Sequence, residues 1–304
     1  MAKIPFRISP MLATLVDAPF ARPGWIFEEK YDGVRMLAHK EGSHISLISR
    51  NAIDRTTRYP KIAQAIARLK ADTLLLDGEV VVFDSKDVSR FQLLQRSKGN
   101  PEYVVFDCLY KDGKDLRREP LASRRRTLES LLKPGPSIRL SQQVSADGME
   151  AFRKASHSGW EGVIGKDLQS PYESRRSRYW LKVKVHQQQE FVIGGFTKPE
   201  GSRLYFGSLL LGVYQKGALQ FAGKVGTGFD ENTLKDLHRT LKSLVQLKSP
   251  FVGSAADGRD ITFVKPKLIA QISFTEWTGD EKLRHPVFLG LRDDKNPKEV
   301  RREA

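Results

Sequence analysis

The segment Glu28-Glu29-Lys30-Tyr31-Asp32-Gly33-Val34-Arg35 follows an apolar stretch at residues 25–27. A lysine can act as a nucleophile only when deprotonated. Its free pKa of about 10.4 must then be lowered by burial or by neighbouring cations. Gly33 lets backbone approach a ligand closely, and Arg35 carries a donor fork suited to phosphate or ribose. The chemistry this implies is covalent catalysis through Lys30. On its own the K-x-D-G pattern is short, and a plain turn at Tyr31-Asp32-Gly33 with an exposed Lys30 is its commoner origin.

Further motifs follow in order. Ser49-Arg50-Asn51 ends a strand pattern and Leu76-Asp77-Gly78-Glu79-Val80 lies in one. Tyr103-Val104-Val105-Phe106-Asp107 is an apolar strand, followed by Glu161-Gly162-Val163-Ile164-Gly165-Lys166. Trp180-Leu181-Lys182-Val183-Lys184 comes next, and Arg292-Asp293-Asp294-Lys295 stands near the end. Lys182 and Lys184 alternate on a strand, so both point to one face. Two cations there can bind phosphate and help depress the pKa of Lys30. A solvated strand face has the same pattern.

These residues need elements to hold them. The apolar period predicts a helix over 61–70 with Ile62, Ala65, Ile66 and Leu69 inward, and one capped by Ser123 that buries Leu128, Leu131 and Leu132. A third runs from about Asp147 to Gly159 with Met149, Phe152 and Ala155 inward. A fourth starts at Asp230 and buries Leu234, Leu237, Leu241, Leu244 and Val245. Strand patterns cover 44–50, 73–84, 103–110, 161–166, 178–185, 190–197, 207–215, 218–225 and 261–277. The mixed part, 1–185, and the strand-rich part, 186–304, read as two domains. Five strands with one helix suggest an OB barrel for the second.

Composition bounds the partners. Among 304 residues, 51 Lys and Arg face 36 Asp and Glu, a net charge of +15. That excess points to nucleic acid, because phosphate neutralisation drives such binding. One cysteine permits no intrachain disulfide and no Cys-built zinc site, which fits a reducing cytoplasm. No run of about 18 apolar residues suggests a membrane span. Arg124-Arg125-Arg126 reads as a solvated helix face or a DNA contact.

Taken together, the ordered motifs resemble those of covalent nucleotidyltransferases: ATP-dependent DNA ligases, RNA ligases and mRNA capping enzymes. The text SPMLA at 9–13, SRN, LDGE, EGVIGKD, WLKVK and LRHPVFLGLRDDK at 283–295 is similar to the ligase domain of bacterial end-joining ligases. The resemblance spans about residue 7 to 295. It implies an α+β fold: a nucleotidyltransferase (adenylation) domain of antiparallel sheets with helices at 1–185, then an OB-fold β-barrel at 186–304.

The resemblance also implies roles. Lys30 attacks the α-phosphorus of ATP, with Asp32, Lys182 and Lys184 completing the catalytic set. Glu28, Arg35, Arg50, Glu79, Phe106 and Lys166 contact the nucleotide, Phe106 by stacking on adenine. Glu79 and Glu161 hold a divalent metal, Mg2+ or Mn2+. Arg292, Asp294 and Lys295 orient pyrophosphate in the first step only, so the second domain closes and later swings away. Arg175, Arg176, Arg178, Lys198 and Arg203 contact DNA. The implied substrate is nicked double-stranded DNA in repair or end joining. Ku and a separate polymerase or nuclease are the implied partners of a monomeric, nucleoid-associated bacterial enzyme. The chain length leaves no room for fused polymerase and nuclease domains, so a minimal ligase or an excised domain is expected. Three departures touch local packing: His186 where Cys often stands, Gln271 where Glu is common, and Ala52 where Gly is frequent. An RNA ligase or capping-type enzyme, and a non-catalytic DNA-binding module, remain the alternatives.

Overall fold

The computed structural model describes residues 4, 8–97, 99–133, 135–199, 201, 203–252 and 260–303. The chain divides into two compact units, Met1–Val185 and His186–Ala304. In chain order the first unit contains β1 (Leu12–Leu15), β2 (Trp25–Glu29), β3 (Val34–Glu41), β4 (His44–Ser49), α1 (Pro60–Ala67) and β5 (Thr73–Val81). Then come α2 (Phe91–Gln95), β6 (Glu102–Lys111), β7 (Lys114–Asp115), α3 (Leu121–Leu131), β8 (Ile138–Leu140), β9 (Gln143–Ser145), α4 (Gly148–Ser158), β10 (Gly162–Asp167) and β11 (Arg176–Lys184).

Two sheets result, ordered β1-β11-β10-β2-β9 and β4-β3-β5-β6-β7, with β8 joined to β6. They are antiparallel except that β1 runs parallel to β11 and β8 parallel to β6. Strand alternation explains how they stack. Met36, Ala38, Leu74, Leu76, Val105 and Cys108 face one way and pack with Ile62, Ile66, Leu128 and Leu131 of the helices. Phe27, Val163 and Val183 face outward from the first sheet against Ala151 and Ala155 of α4. The intervening positions Leu37, Leu75, Phe106, Ile164 and Trp180 meet in a third cluster between the sheets.

The helices depart from expectation in detail. α3 begins at Leu121 behind Pro120 rather than at a Ser123 cap. α4 starts at its Asp147 cap and stops at Gly159, whose φ of 70° suits glycine. Met149 on it is 50% exposed, because Ala151 and Ala155 carry the packing face. The short α2, five residues long, has no apolar period of its own in the sequence. Ala52 adopts φ 59°, the conformation that makes glycine frequent there.

The second unit contains β12 (Gln187–Thr197), β13 (Leu209–Gln215), β14 (Ala218–Val225), α5 (Glu231–Lys242), β15 (Ile261–Phe274), β16 (Glu276–Trp277), β17 (Leu283–Arg284) and β18 (Val287–Arg292). Its main sheet is ordered β14-β13-β12-β15-β18. A parallel bridge between Thr227 and Val287 joins the two ends of that order. A five-stranded closed path with its helix between the third and fourth strands is the OB topology. Leu237 and Leu241 of α5 enter its core; Val245 lies beyond the helix and is 46% exposed. Gln271 is buried on β15 with Oε1 lacking a hydrogen-bond partner. Among the described residues, no helix is long and apolar enough to cross a membrane.

In the basic run on α3, Arg124 and Arg125 are buried and only Arg126 is exposed. Arg124 is fully buried and donates from Nε and Nη2 to the Asp107 carboxylate at 2.7 and 2.9 Å, and from Nη1 to the carbonyls of Glu119 and Ser170. Burial pushes the Asp107 carboxyl upward, and Arg124 opposes that shift. Arg124→Met leaves Asp107 without its buried partner. It should lower unfolding free energy by about 3–5 kcal/mol in urea titrations, with a good part recovered on adding Asp107→Leu.

Candidate active site

The strand register assembles the candidate residues on facing surfaces. Glu28 of β2 pairs with Ile164 of β10, which pairs with Lys182 of β11. One step along, the amide of Lys30 donates to the Gly162 carbonyl at 3.0 Å, and Gly162 pairs with Lys184. One step back, Lys166 pairs with Trp180. Period-two alternation therefore puts Glu28, Lys30, Lys166, Lys182 and Lys184 on the sheet face opposite α4. Gly162 sits between the two lysine positions. A Cβ there would stand 2.1 Å from the Val183 carbonyl oxygen, so the close strand approach needs glycine. On the facing sheet, Arg35 is the register partner of Glu79, and Leu37 of Asp77.

Lys30 forms an ion pair with Glu161, and its side chain keeps 20% exposure. Burial would lower its pKa, but the Glu161 carboxylate, with Asp32 and Glu79, outweighs burial and holds it above the ordinary lysine value. This corrects the expectation that Lys182 and Lys184 depress it: direct contact with a carboxylate prevails. Asp32 is tied down by accepting from the Phe91 amide at 3.2 Å.

Beside this pair lies a buried charge cluster. Glu28 accepts from Arg125 Nη1 at one oxygen. Its other oxygen accepts from Lys166 Nζ and Ser141 Oγ, each at 2.8 Å. Lys166 lies within β10, and its ammonium sits 4.4 Å from the Phe106 ring centroid and 4.3 Å from that of Trp180. Burial pulls the Lys166 pKa down and Glu28 offsets part of that. Phe106 is the extra residue where β6 slips its register against β5, since Asp77 pairs with Asp107 but Gly78 with Val105. Such a bulge re-aims a side chain, here toward the gap between the sheets.

Arg35 donates to Asp77 with Nε and Nη2 at 2.6 and 2.7 Å and stacks 4.4 Å from the Phe106 centroid. Tyr172 donates to the same carboxylate at 2.6 Å and accepts from the Met11 amide. Arg50 is half-buried in the turn after β4. Lys182, Lys184 and Glu79 are half-buried as well. Among the described residues, no cluster of three or more His, Cys, Asp or Glu side chains forms a ready-made metal cage. The carboxylates acting on Lys30 are hard oxygen donors. They fit a divalent ion that takes one or two protein ligands and completes its shell with phosphate and water.

In the second unit, Arg292 pairs with Asp294 through two bonds of 2.8 Å, and Lys295 pairs with Glu190 of β12. Burial opposes ionisation of Asp294, yet Arg292 and Lys295 hold its carboxyl below the usual range. Arg175, Arg176 and Arg178 are exposed. Arg175 pairs with Glu173, and exposed Lys198 with Asp260. Arg203 also serves the fold. Its Nε and Nη1 donate to the carbonyls of Phe206 and Gly226 at 2.8 and 2.7 Å, so it braces the fold.

Sequence reasoning missed Arg125, Ser141, Tyr172 and Ser89, whose partners lie far away in the chain. It also missed Glu29, whose carboxylate accepts from Ser89 Oγ at 3.0 Å. Burial raises the Glu29 pKa from 4.5 to about 7, with Asp87 adding and Ser89 and Arg139 opposing. Between those values the folded chain keeps a proton that the unfolded chain has lost. The Glu29 contribution to stability thus falls as pH rises through that window and is level above it. Glu29→Gln should be about 2–3 kcal/mol more stable than the parent at about pH 8, and nearly equal at about pH 4, in denaturant titrations.

Comparison with known proteins gives this arrangement a context. Residues 10–184 match the ATP dependent DNA ligase domain, and residues 202–295 match the ATP dependent DNA ligase C terminal region. The chain is 40% identical over 309 residues to the multifunctional non-homologous end joining protein LigD of Pseudomonas aeruginosa, covering 98% of this chain and 37% of that protein. It is also 40% identical over 304 residues to the LigD of Mycobacterium tuberculosis H37Rv, covering 98% and 40%. The chain thus spans about two-fifths of these relatives. A solved structure described as mycobacterial DNA ligase D complexed with ATP and MES superposes with a TM-score of 0.73 at 37% identity, covering 98% of this chain and 99% of that one. The ligase domain of M. tuberculosis LigD matches with a TM-score of 0.54 at 38% identity, over 98% and 99%. The matched domains, the register of the lysine-bearing strands and the OB topology agree: this chain belongs to the ATP-dependent DNA ligase family.

Proposed function

We propose that the chain seals 3′-hydroxyl/5′-phosphate nicks in double-stranded DNA through an adenylate carried on Lys30. The observation that carries this reading is the common sheet face of Lys30, Lys182 and Lys184, with Gly162 leaving the space between Lys30 and Lys184 free of a side chain. Deprotonated Lys30 Nζ forms a bond to the α-phosphorus of ATP as the bond to pyrophosphate breaks. The 5′-phosphate of the nick then takes the AMP, and Lys30 regains its amine. Finally the 3′-hydroxyl attacks the activated 5′-phosphorus and AMP leaves.

The residues divide this work by chemistry. Lys182 and Lys184 meet phosphate, Phe106 and Lys166 meet adenine beside Glu28, and Glu79, Arg35 and Arg50 meet sugar or phosphate. Glu79 and Glu161 are the carboxylates for Mg2+ or Mn2+, whose chemical contribution is to neutralise phosphate charge. Arg292 and Lys295 orient the leaving pyrophosphate. Arg175, Arg176, Arg178 and Lys198 track the DNA backbone, so binding should weaken as salt rises. Because Lys30 is engaged in an ion pair with Glu161, adenylation requires that this pair be broken and the amine lose its proton first. Catalysis here is mainly positioning and charge stabilisation. The end-joining names of the relatives support a role in break repair; Ku and a separate polymerase or nuclease as partners, a monomeric state and a place at the nucleoid of a bacterial cytoplasm complete the proposal.

The test is incubation with α-labelled ATP and a divalent metal. Acid-labile label should appear on the wild-type chain and vanish in Lys30→Ala, and the labelled protein should seal a nicked duplex. Label from GTP alone would move the reading to a capping-type enzyme. DNA binding by folded, initially AMP-free protein that never takes up label would make it a binding module.

A further inference from the structure

One short segment touches both members of the Lys30–Glu161 pair through their chain neighbours. Ser89, 3% exposed, accepts from the Asp32 amide at 2.9 Å and donates to the Glu29 carboxylate at 3.0 Å. These residues lie on either side of the Lys30-Tyr31 step. The next residue, Arg90, donates from Nη1 to the Gly159 carbonyl at 3.0 Å, two residues before Glu161. Its Nε donates to Asp84 at 3.0 Å, which fixes the guanidinium. The third residue, Phe91, donates its amide to Asp32 and sinks its ring into the core with Leu94. The segment is itself anchored, since the Arg90 amide donates to the Val82 carbonyl at 2.9 Å and Ser89 bridges Phe83.

We propose that Ser89 and Arg90 are positioning residues for lysine adenylation. They form a clamp that sets the place of Lys30 and of Glu161 from a single rigid segment. The inference rests on the ligase reading above. Neither side chain reaches the reacting amine. Ser89 holds the Asp32 amide on one side of the nucleophile and the Glu29 carboxylate on the other, and Arg90 fixes the turn that delivers its carboxylate partner. In a reaction governed by alignment, small displacements of either group lower the rate at saturating substrate more than they lower ATP affinity.

The experiment measures single-turnover lysyl-AMP formation across ATP concentrations for the wild type, Ser89→Ala, Ser89→Thr, Arg90→Met and Arg90→Lys, with thermal melts of each. Ser89→Ala and Arg90→Met should each slow adenylation at saturating ATP by about tenfold or more, with the half-saturating ATP concentration moved less than about threefold. Ser89→Thr, which keeps the hydroxyl, should regain most of the rate. Arg90, with its partly exposed side chain, supplies the folded test if the serine variants melt early. Wild-type rates in folded Ser89→Ala and Arg90→Met overturn the clamp. So do losses confined to ATP affinity, or a Ser89→Thr variant that is folded yet as slow as Ser89→Ala. A wild-type chain that takes up no label would instead overturn the ligase reading, since the unaltered protein then fails as well.

Discussion

The first unit depends on one electrostatic constraint: charges taken out of water between two sheets must be paired there. Leaving a buried carboxylate or ammonium alone costs several kcal/mol, on the order of the chain's whole net stability. Five pairings meet that demand among the described residues: Lys30 with Glu161, Lys166 and Arg125 with Glu28, Arg35 with Asp77, and Arg124 with Asp107. Each ties one element to another. Arg125 joins α3 to β2, Lys166 joins β10 to β2, and Arg35 joins β3 to β5. The arrangement proposed to hold the nucleotide is also the one that makes these charges tolerable inside a protein.

Strand geometry supplies the rest. The same alternation that sends Phe27, Val163 and Val183 toward α4 sends Glu28, Ile164, Lys182 and Lys184 the other way. A slip of one residue would exchange the two sets, so apolar packing against α4 fixes the register of the charged face. The bulge at Phe106 is the exception that serves the site. It breaks strict alternation once, at the position where an aromatic ring faces two cations, Arg35 and Lys166, each at 4.4 Å. The adenine role proposed for Phe106 would exploit a ring already polarised by both.

The second unit handles its motif residues differently. Arg292 and Lys295 are each held by a carboxylate of the same unit, Asp294 and Glu190. Paired cations of this kind are pre-ordered before they meet an anionic ligand, which reduces the entropy lost on binding. Arg203 illustrates the converse: once its donors satisfy backbone carbonyls, a basic residue becomes part of the scaffold.

The sequence by itself determined the periodic elements and the order of motifs that places the chain in its family. Lys30 within its motif and the alternating Lys182 and Lys184 stood out by type and spacing, while the roles of Glu79 and Glu161 came only with the family resemblance. The helices capped by Asp147 and Asp230 were legible because capping and apolar period are local. What only the tertiary structure decided were the long-range partners. Arg124 and Arg125 looked like a solvated run because nothing local reveals that Asp107 and Glu28 await them inside. The sign of the Lys30 pKa shift turned on Glu161, 131 residues away, and not on the neighbouring lysine strand. Ser89 and Arg90 had no motif at all, since their function lies in backbone atoms of Asp32 and Gly159 that any residue could provide. Local spacing encodes which groups a strand or helix presents; which charge meets which is set by packing, where desolvation makes each pairing decisive.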